Sequence, residues 1–314
     1  MKKVLVTGGT GFVGANLCRR LLGEGHEVFC LVRPGYASWR IADVEDHIQM
    51  TLADLTDRAS LEGIVGRIRP DWVFHLAAYG AYSWQTDLAQ MVQTNVGGTV
   101  NLIEACLQAG FETLISTGSS SEYGFKKTAA TETEWLEPNS HYAVTKASAS
   151  LFCRYTAQSR NLPLHTLRLY SVFGPYEEPR RLMPSLIREG LKGNLPRLVG
   201  PETARDYIYV DDVIDAYLLA ATRPNQELGA IYNIGSGIQT SLREVVQAAR
   251  QTLGIRAEPE WNTMAQRQWD TSTWVANIHK AVDELEWSPR YSLQQGFRRM
   301  VQWCSERPAY LEHH

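Results

Sequence analysis

The 314-residue sequence contains no run of about 18 apolar residues, so no part of it reads as a membrane-spanning helix. A signal peptide is also missing, because the N-terminus itself reads as a strand. There is no basic excess. The net charge of −3 lacks the electrostatic footprint of a nucleic-acid binder. Cysteine is scarce and scattered: the five residues, at 18, 30, 106, 153 and 304, form no C-x-x-C pair. That suits free thiols in a reducing cytoplasm and argues against disulfides or zinc. Repeats and low-complexity segments are absent too. What remains, 44% hydrophobic and 21% charged, is an ordinary globular chain long enough to bury a large core.

The first fourteen residues, MKKVLVTGGTGFVG, organise the rest. Val4-Leu5-Val6 is a short run of the kind that makes a buried parallel strand. Glycines follow at 8, 11 and 14, and an amphipathic run from Ala15 to Leu22 continues as a helix. Gly8 permits a tight turn, Gly11 lets the backbone approach a pyrophosphate, and Gly14 lets the helix pack on the strand. Phe12 and Val13, between the glycines, are further candidates to bind the cofactor, and the first amides of the helix face the phosphates. The spacing is G-x-x-G-x-x-G rather than G-x-G-x-x-G. Its place between a strand and a helix is what points to a dinucleotide site.

A second strand, His26 to Arg33, ends without the acidic residue that would hold the adenosine ribose of NAD. Arg33 stands there instead and can pair with a 2′-phosphate, which favours NADP, with NAD as the alternative; a solvated surface arginine is the plainer reading. Arg40 and Arg20 are candidates to assist. A third strand, Ile48 to Leu52, leads to Asp54 and Leu55, with Asp54 a candidate acceptor for the adenine amino group and Asp57 an N-cap. Trp72 to Ala78 reads as a fourth strand whose Leu76-Ala77-Ala78 end admits a cofactor closely. A helix from Asn95 to Ala109 and a fifth strand from Thr113 to Thr117 complete the alternation. The class is α/β, a doubly wound parallel sheet (Rossmann) with a smaller C-terminal α/β substrate lobe. Residues 1–170 form the dinucleotide-binding domain, with later returns of the chain at roughly 207–235. Residues 171–310 are mainly the substrate lobe, and 311–314 read as a tag remnant.

Chemistry concentrates after the fifth strand, at Gly118-Ser119-Ser120-Ser121-Glu122-Tyr123-Gly124. Some twenty residues on, Ser140-His141-Tyr142-Ala143-Val144-Thr145-Lys146 opens a long helix, with Tyr142 and Lys146 one turn apart on one face. An ammonium near a phenol lowers the phenol pKa, so Tyr142 becomes a proton donor or acceptor near neutrality. Lys146 can also hold the nicotinamide ribose, and a serine hydroxyl completes a clamp on a carbonyl or alcohol oxygen. A lone Y-x-x-x-K is common on solvated helices; behind a nucleotide-binding half it carries more weight.

With these motifs the sequence resembles, over essentially its whole length, an extended short-chain dehydrogenase/reductase of the NDP-sugar epimerase, dehydratase and 4-ketoreductase group. Supporting stretches are Thr7 to Gly14, Asp54-Leu55, His75 to Ala78, Asn95 to Thr99, Leu167-Arg168, Gly174-Pro175, Arg205 to Asp212 and Asn233 to Gly237. The resemblance implies Ser119, Tyr142 and Lys146 as the catalytic set and a nucleotide-diphosphate sugar as substrate. Arg205 and Arg267 would grip the diphosphate, where a guanidinium fork suits phosphate oxygens; a salt bridge from Arg205 to Asp206 or Asp211 is the bland alternative. The reaction type needs no metal, so Asp206, Asp211 and Asp212 read as caps and structural pairs. Family dehydratases carry an acid and a glutamate after the catalytic hydroxyl residue; here Ser120 and Ser121 stand there, with Glu122 expected on the other face of an extended segment. That disfavours a dehydratase and fits either a 4-ketoreductase or a 4-epimerase, and Arg33 favours an NADPH-dependent reduction of a 4-keto-6-deoxy sugar, with the NAD-dependent 4-epimerase as alternative. Ser171 replaces a family asparagine near the sugar diphosphate. A cytoplasmic homodimer, joined through the helix of Tyr142 and the one around Val96 to Ala109, is also implied. A non-catalytic NADP-binding regulator would have no need of the complete Ser119, Tyr142, Lys146 set.

Overall fold

The computed structural model describes residues 1–223, 227–265 and 271–312. Val4, Leu5 and Val6 are fully buried at the centre of β1 (Lys3–Thr7), as a strand covered on both faces requires. In α1 (Phe12–Gly23), Ala15, Leu17, Cys18 and Leu21 recur at helical spacing and are buried. β2 (Glu27–Val32) and β3 (Gln49–Leu52) follow. Asp57 caps α2 (Arg58–Ile68) by accepting from the Ser60 amide at 3.1 Å, the role its position implied. β4 (Trp72–His75) is shorter than expected, because Leu76 to Ala78 already leave the sheet.

The helix expected at Asn95 begins earlier. α3 (Leu88–Val92) runs through one π turn at Gln93–Gly97 into α4 (Gly98–Ala109). The wider turn carries Asn95 inward, where its side chain bonds both backbone groups of Tyr79 at 2.8 Å and the Thr145 hydroxyl at 2.9 Å. β5 (Thr113–Ser119) reaches two residues further than expected. α5 (His141–Arg160) is capped by Ser140, whose hydroxyl accepts from Ala143 N at 3.2 Å, and ends on Asn161 in the left-handed region.

The chain continues through β6 (Leu164–Leu169), β7 (Ser171–Phe173), α6 (Leu182–Gly190), β8 (Ala204–Tyr209), α7 (Val210–Thr222), β9 (Ile231–Ile234) and β10 (Gln239–Ser241). α8 (Leu242–Leu253), α9 (His279–Leu285) and α10 (Leu293–Ser305) complete it. A seven-stranded sheet has the order β3-β2-β1-β4-β5-β6-β9, the doubly wound 3-2-1-4-5-6 order with one strand added. A second sheet has the order β10-β8-β7, with β8 antiparallel to β10 and parallel to β7.

Two compact units divide the chain. The first takes Met1–Gly124, Leu136–Arg168 and Ala216–Tyr232. In its core Leu61, Ile64 and Val65 of α2 pack with Leu102, Ile103 and Cys106 of α4. Burying each large aliphatic side chain there stabilises by roughly 1.5–3 kcal/mol. The second unit takes Phe125–Trp135, Leu169–Asp215 and the chain from Asn233 on, so the excursion after Gly124 groups with the later residues. Tyr310 and Leu311 are buried there, in a closing 3-10 turn, Pro308–Glu312. Among the described residues no helix is long and apolar enough to cross a membrane.

Candidate active site

The glycine turn is closed by a Gly11 N–H to Gly8 carbonyl bond of 2.9 Å. Gly8 has φ +75°, and a Cβ there would lie 2.6 Å from the amide nitrogen of Ala77, just past β4. A Cβ on Gly14 would lie 2.2 Å from the Gly8 oxygen. Both positions therefore exclude a side chain, and the N-terminus of α1 meets the end of β4 across bare backbone. Gly11 is the N-cap of α1 and offers no side-chain acceptor, so the first amides, at Phe12 and Val13, have no side-chain cap from it. That cradle fits the pyrophosphate of a dinucleotide. Leu76 and Ala77 are half-buried beside it and Ala78 is exposed.

Arg33 is exposed, one residue past β2. Asp54, past the neighbouring β3, accepts from the Thr56 amide and hydroxyl, each at 2.8 Å. Those two bonds hold its carboxyl below the usual range, with a smaller pull from the Arg33 charge, so the two residues share one corner of the sheet. Leu55 is buried, and its carbonyl accepts from Asn101 at 2.9 Å. Arg40 is buried with its guanidinium 4.0 Å from the Trp39 ring centroid, and Arg20 pairs with Glu24 at 2.6 Å.

Ser119 ends β5 and caps a 3-10 turn, Ser120–Tyr123. Its hydroxyl lies 2.8 Å from that of Ser121 and accepts from the Ser121 amide at 3.2 Å. Glu122 differs from expectation: the segment is a turn, not an extended strand. Its carboxylate folds back to accept from the Ser119 amide at 2.7 Å, making a capping box. Gly118 makes the room, since a Cβ there would lie 2.8 Å from Glu122 Oε1. Glu122 is fully buried and paired with Arg168 at 2.8 Å, and Arg168 also donates to the Tyr123 hydroxyl at 2.9 Å. The Ser119-x-x-Glu122 spacing was the available signal for this turn.

On α5, Tyr142 is half-buried and Lys146 is 5% exposed one turn later. Burial lowers the Lys146 pKa, and the Glu122 carboxylate pulls it back up. Thr145 donates to the Tyr142 carbonyl at 2.9 Å and receives the Asn95 amide, which ties this turn to Tyr79. His75 sits between Thr7 and Thr99 hydroxyls at 2.6 and 2.9 Å, and burial takes its pKa down to about 3, so it is neutral there. Tyr217 is fully buried, its hydroxyl lies 2.5 Å from that of Thr117, and burial pushes its pKa up. Neither Asn95, Glu122 nor Tyr217 had been assigned a role from sequence.

In the second unit, Ser171 opens β7 opposite Tyr207 of β8. Arg205, on β8, is half-buried with its guanidinium 5.0 Å from the Trp274 ring centroid. Asp206 is committed elsewhere: it accepts from Ser236 N and Oγ at 2.6 Å and from Gly237 N and Ala276 N at 3.0 Å. Asp212 accepts from the amides of Arg290 and Tyr291 at 3.0 and 3.2 Å. Both are thus structural acceptors, and among the described residues no cluster of carboxylates, histidines and cysteines is arranged for a metal. Arg267 lies outside the described residues.

The family model described as the NAD dependent epimerase/dehydratase family matches residues 4–235. The chain is 30% identical over 311 residues to a UDP-glucose 4-epimerase of Mycolicibacterium smegmatis, covering 96% of this chain and 98% of that one. It is also 30% identical to a dTDP-glucose 4,6-dehydratase of Neisseria meningitidis, covering 99% and 96%. Among solved structures, the UDP-glucose 4-epimerase of Thermotoga maritima with UDP-glucose superposes with a TM-score of 0.87 at 27% identity, covering 96% and 98%. The UDP-glucuronic acid 4-epimerase of Bacillus cereus, in complex with UDP-glucuronic acid and NAD, gives 0.85 at 27% identity, covering 96% and 99%. This chain belongs to the NAD dependent epimerase/dehydratase family, and is an enzyme of the extended short-chain dehydrogenase/reductase class.

Proposed function

We propose that the enzyme moves a hydride to and from C4 of a nucleotide-diphosphate hexose, and that 4-epimerisation through retained NAD is its reaction. One observation carries the reading against dehydration. Ser120 and Ser121 offer no acid or base for elimination, and Glu122 is sealed by Arg168, Ser150 and the Ser119 amide. The UDP-glucuronic acid 4-epimerase of Bacillus cereus and MoeE5 each carry NAD and a UDP-sugar in their solved complexes, which supports the nicotinamide and the substrate class here.

The bound nicotinamide supplies the hydride acceptor and donor. Tyr142 takes the proton of the 4-hydroxyl as hydride leaves and returns it as hydride comes back. Ser119 holds the same oxygen through its hydroxyl, and the Lys146 ammonium favours the phenolate of Tyr142. Arg205, and Arg267 from the segment outside the described residues, bind the diphosphate. The exposed stripe of Val144, Leu151 and Tyr155 on α5 supports a homodimer built on that helix.

A second reading, the NADPH-dependent 4-ketoreductase, is favoured by Arg33, exposed past β2 where an acid would select NAD. Cofactor extraction from purified protein decides between them, with UDP-glucose and a dTDP-4-keto-6-deoxy sugar as probes. Retained NAD with interconversion of UDP-glucose and UDP-galactose upholds the epimerase. Consumption of NADPH by the keto sugar, with NADPH affinity lost in Arg33→Ala, replaces it with the reductase.

A further inference from the structure

We propose that the buried Glu122–Arg168 pair is a positioning element of the active site, holding the Ser119 turn against the helix that carries Tyr142 and Lys146 and setting the charge environment of Lys146. The inference rests on the Ser119, Tyr142, Lys146 reading and adds two residues that touch neither sugar nor nucleotide in it.

The geometry places one carboxylate at the junction of three elements. Glu122 Oε1 accepts from the Ser119 amide at 2.7 Å and from the Ser150 hydroxyl at 3.0 Å. Ser150 lies one turn beyond Lys146 on α5, so this oxygen ties the serine turn to the helix that carries Tyr142 and Lys146. Glu122 Oε2 accepts from Arg168 Nε of β6 at 2.8 Å, and Arg168 in turn holds Tyr123, the other end of the turn, through its hydroxyl and its ring face. Arg168 and Glu122 are 2% and 0% exposed. A pair this deep is weak as a source of stability, because desolvation offsets most of the attraction, so its value lies in fixing one arrangement.

Its second effect is electrostatic. Among the described residues, Glu122 of the 3-10 turn and Cys153 of α5 bear on Lys146, and Lys146 in turn bears on His75 of β4; Tyr142 lies one turn before it on α5, and Arg168 of β6 is paired with Glu122. His75 is neutral, with its pKa at about 3. Burial pushes the Cys153 thiol up to about 11, so it is neutral too. Glu122 is then the anion that sustains the ammonium against desolvation. Removing the carboxylate lets Lys146 release its proton at lower pH, and Tyr142 loses its cationic neighbour over that range.

The test is the titration of Lys146, followed by NMR of protein labelled at lysine Cε and assigned with Lys146→Met. Glu122→Gln is expected to lower the Lys146 midpoint by about one unit. The double variant Glu122→Gln/Arg168→Met removes the pair together, and serves where the single change leaves Arg168 unpaired and prevents folding; because the guanidinium goes with the carboxylate, it is expected to lower the midpoint by less than the single change does. A merely structural pair would leave the ammonium untouched, so an unchanged midpoint in a folded variant overturns the proposal. With UDP-glucose as probe, kcat of the variant is expected to fall about tenfold with KM held, since the displaced Ser119 hydroxyl is needed most as charge develops on the 4-oxygen while the diphosphate contacts that bind the sugar nucleotide are kept. An unchanged kcat counts against the positioning role. If the wild type turns over no nucleotide sugar, the functional reading fails, and the lysine titration still decides this one.

Discussion

Replacing Asp206 by Asn should destabilise the second unit sharply, although the two side chains have the same shape. The carboxylate, 0% exposed, accepts four bonds: Oδ1 from Ser236 N and Oγ, Oδ2 from Gly237 N and Ala276 N. It joins β8 to the loop after β9 and to the segment before α9. An amide can accept at only one end. With its NH2 toward Gly237 and Ala276 two backbone donors are orphaned; with it toward Ser236 the serine hydroxyl can turn, but the Ser236 amide is still lost. Each orphaned buried donor costs about 1–3 kcal/mol, and the surviving bonds lose their charge assistance. The sum is about 3 kcal/mol, or a fall of about 6–12 °C in Tm for a chain of this size. Asp206→Ala, which orphans three amides, should fall further. Differential scanning calorimetry of the two variants checks both. A Tm within about 2 °C of wild type for Asp206→Asn would show that the network is not the clamp it is taken for.

Gly14→Ala is expected to abolish dinucleotide binding, by at least about 100-fold in titration, because its Cβ would sit 2.2 Å from the Gly8 oxygen. Unperturbed affinity would contradict the close packing of α1 on the turn. His75 should make stability acid-sensitive. Its folded pKa of about 3 lies below the ordinary 6.5, so between those values the unfolded chain takes up a proton that the folded one refuses. Stability present above pH 6.5 is therefore lost as pH falls toward 3, by up to about 4 kcal/mol, and urea titrations of His75→Gln should lose that dependence. Gly118→Ala is expected to reduce kcat about tenfold, since its Cβ would press on Glu122 and displace the Ser119 turn; steady-state kinetics equal to wild type would refute that link.

Local signals read well from sequence. The glycines at 8, 11 and 14, the Asp57 cap and the helix opening at Ser140 each depend on residues a few positions apart, and the structure places them accordingly. The alternation that makes the main sheet doubly wound was likewise legible, because its strands were short apolar runs before helices; the strand order itself was not read. Non-local partners were not. Arg168 finds Glu122 across 46 residues of chain, and Asp206 meets Ala276 across 70, and no periodicity announces either. β7 and β10, three residues each, are too short for a period of two to show. The π turn at Gln93–Gly97 hid the start of its helix, since the extra residue breaks the 3.6-residue spacing. Glu122 was misplaced because an extended segment was assumed where a capping box curls the chain.

The most direct test of the site chemistry is the redox response of the bound cofactor to UDP-glucose, read as absorbance at 340 nm in a single turnover, for wild type and Tyr142→Phe. Wild type is expected to show transient reduction of its retained nicotinamide, and the variant to slow that step about 100–10,000-fold while still binding the sugar. Equal reduction rates in the two proteins would remove Tyr142 from the proton transfer and contradict the proposed mechanism.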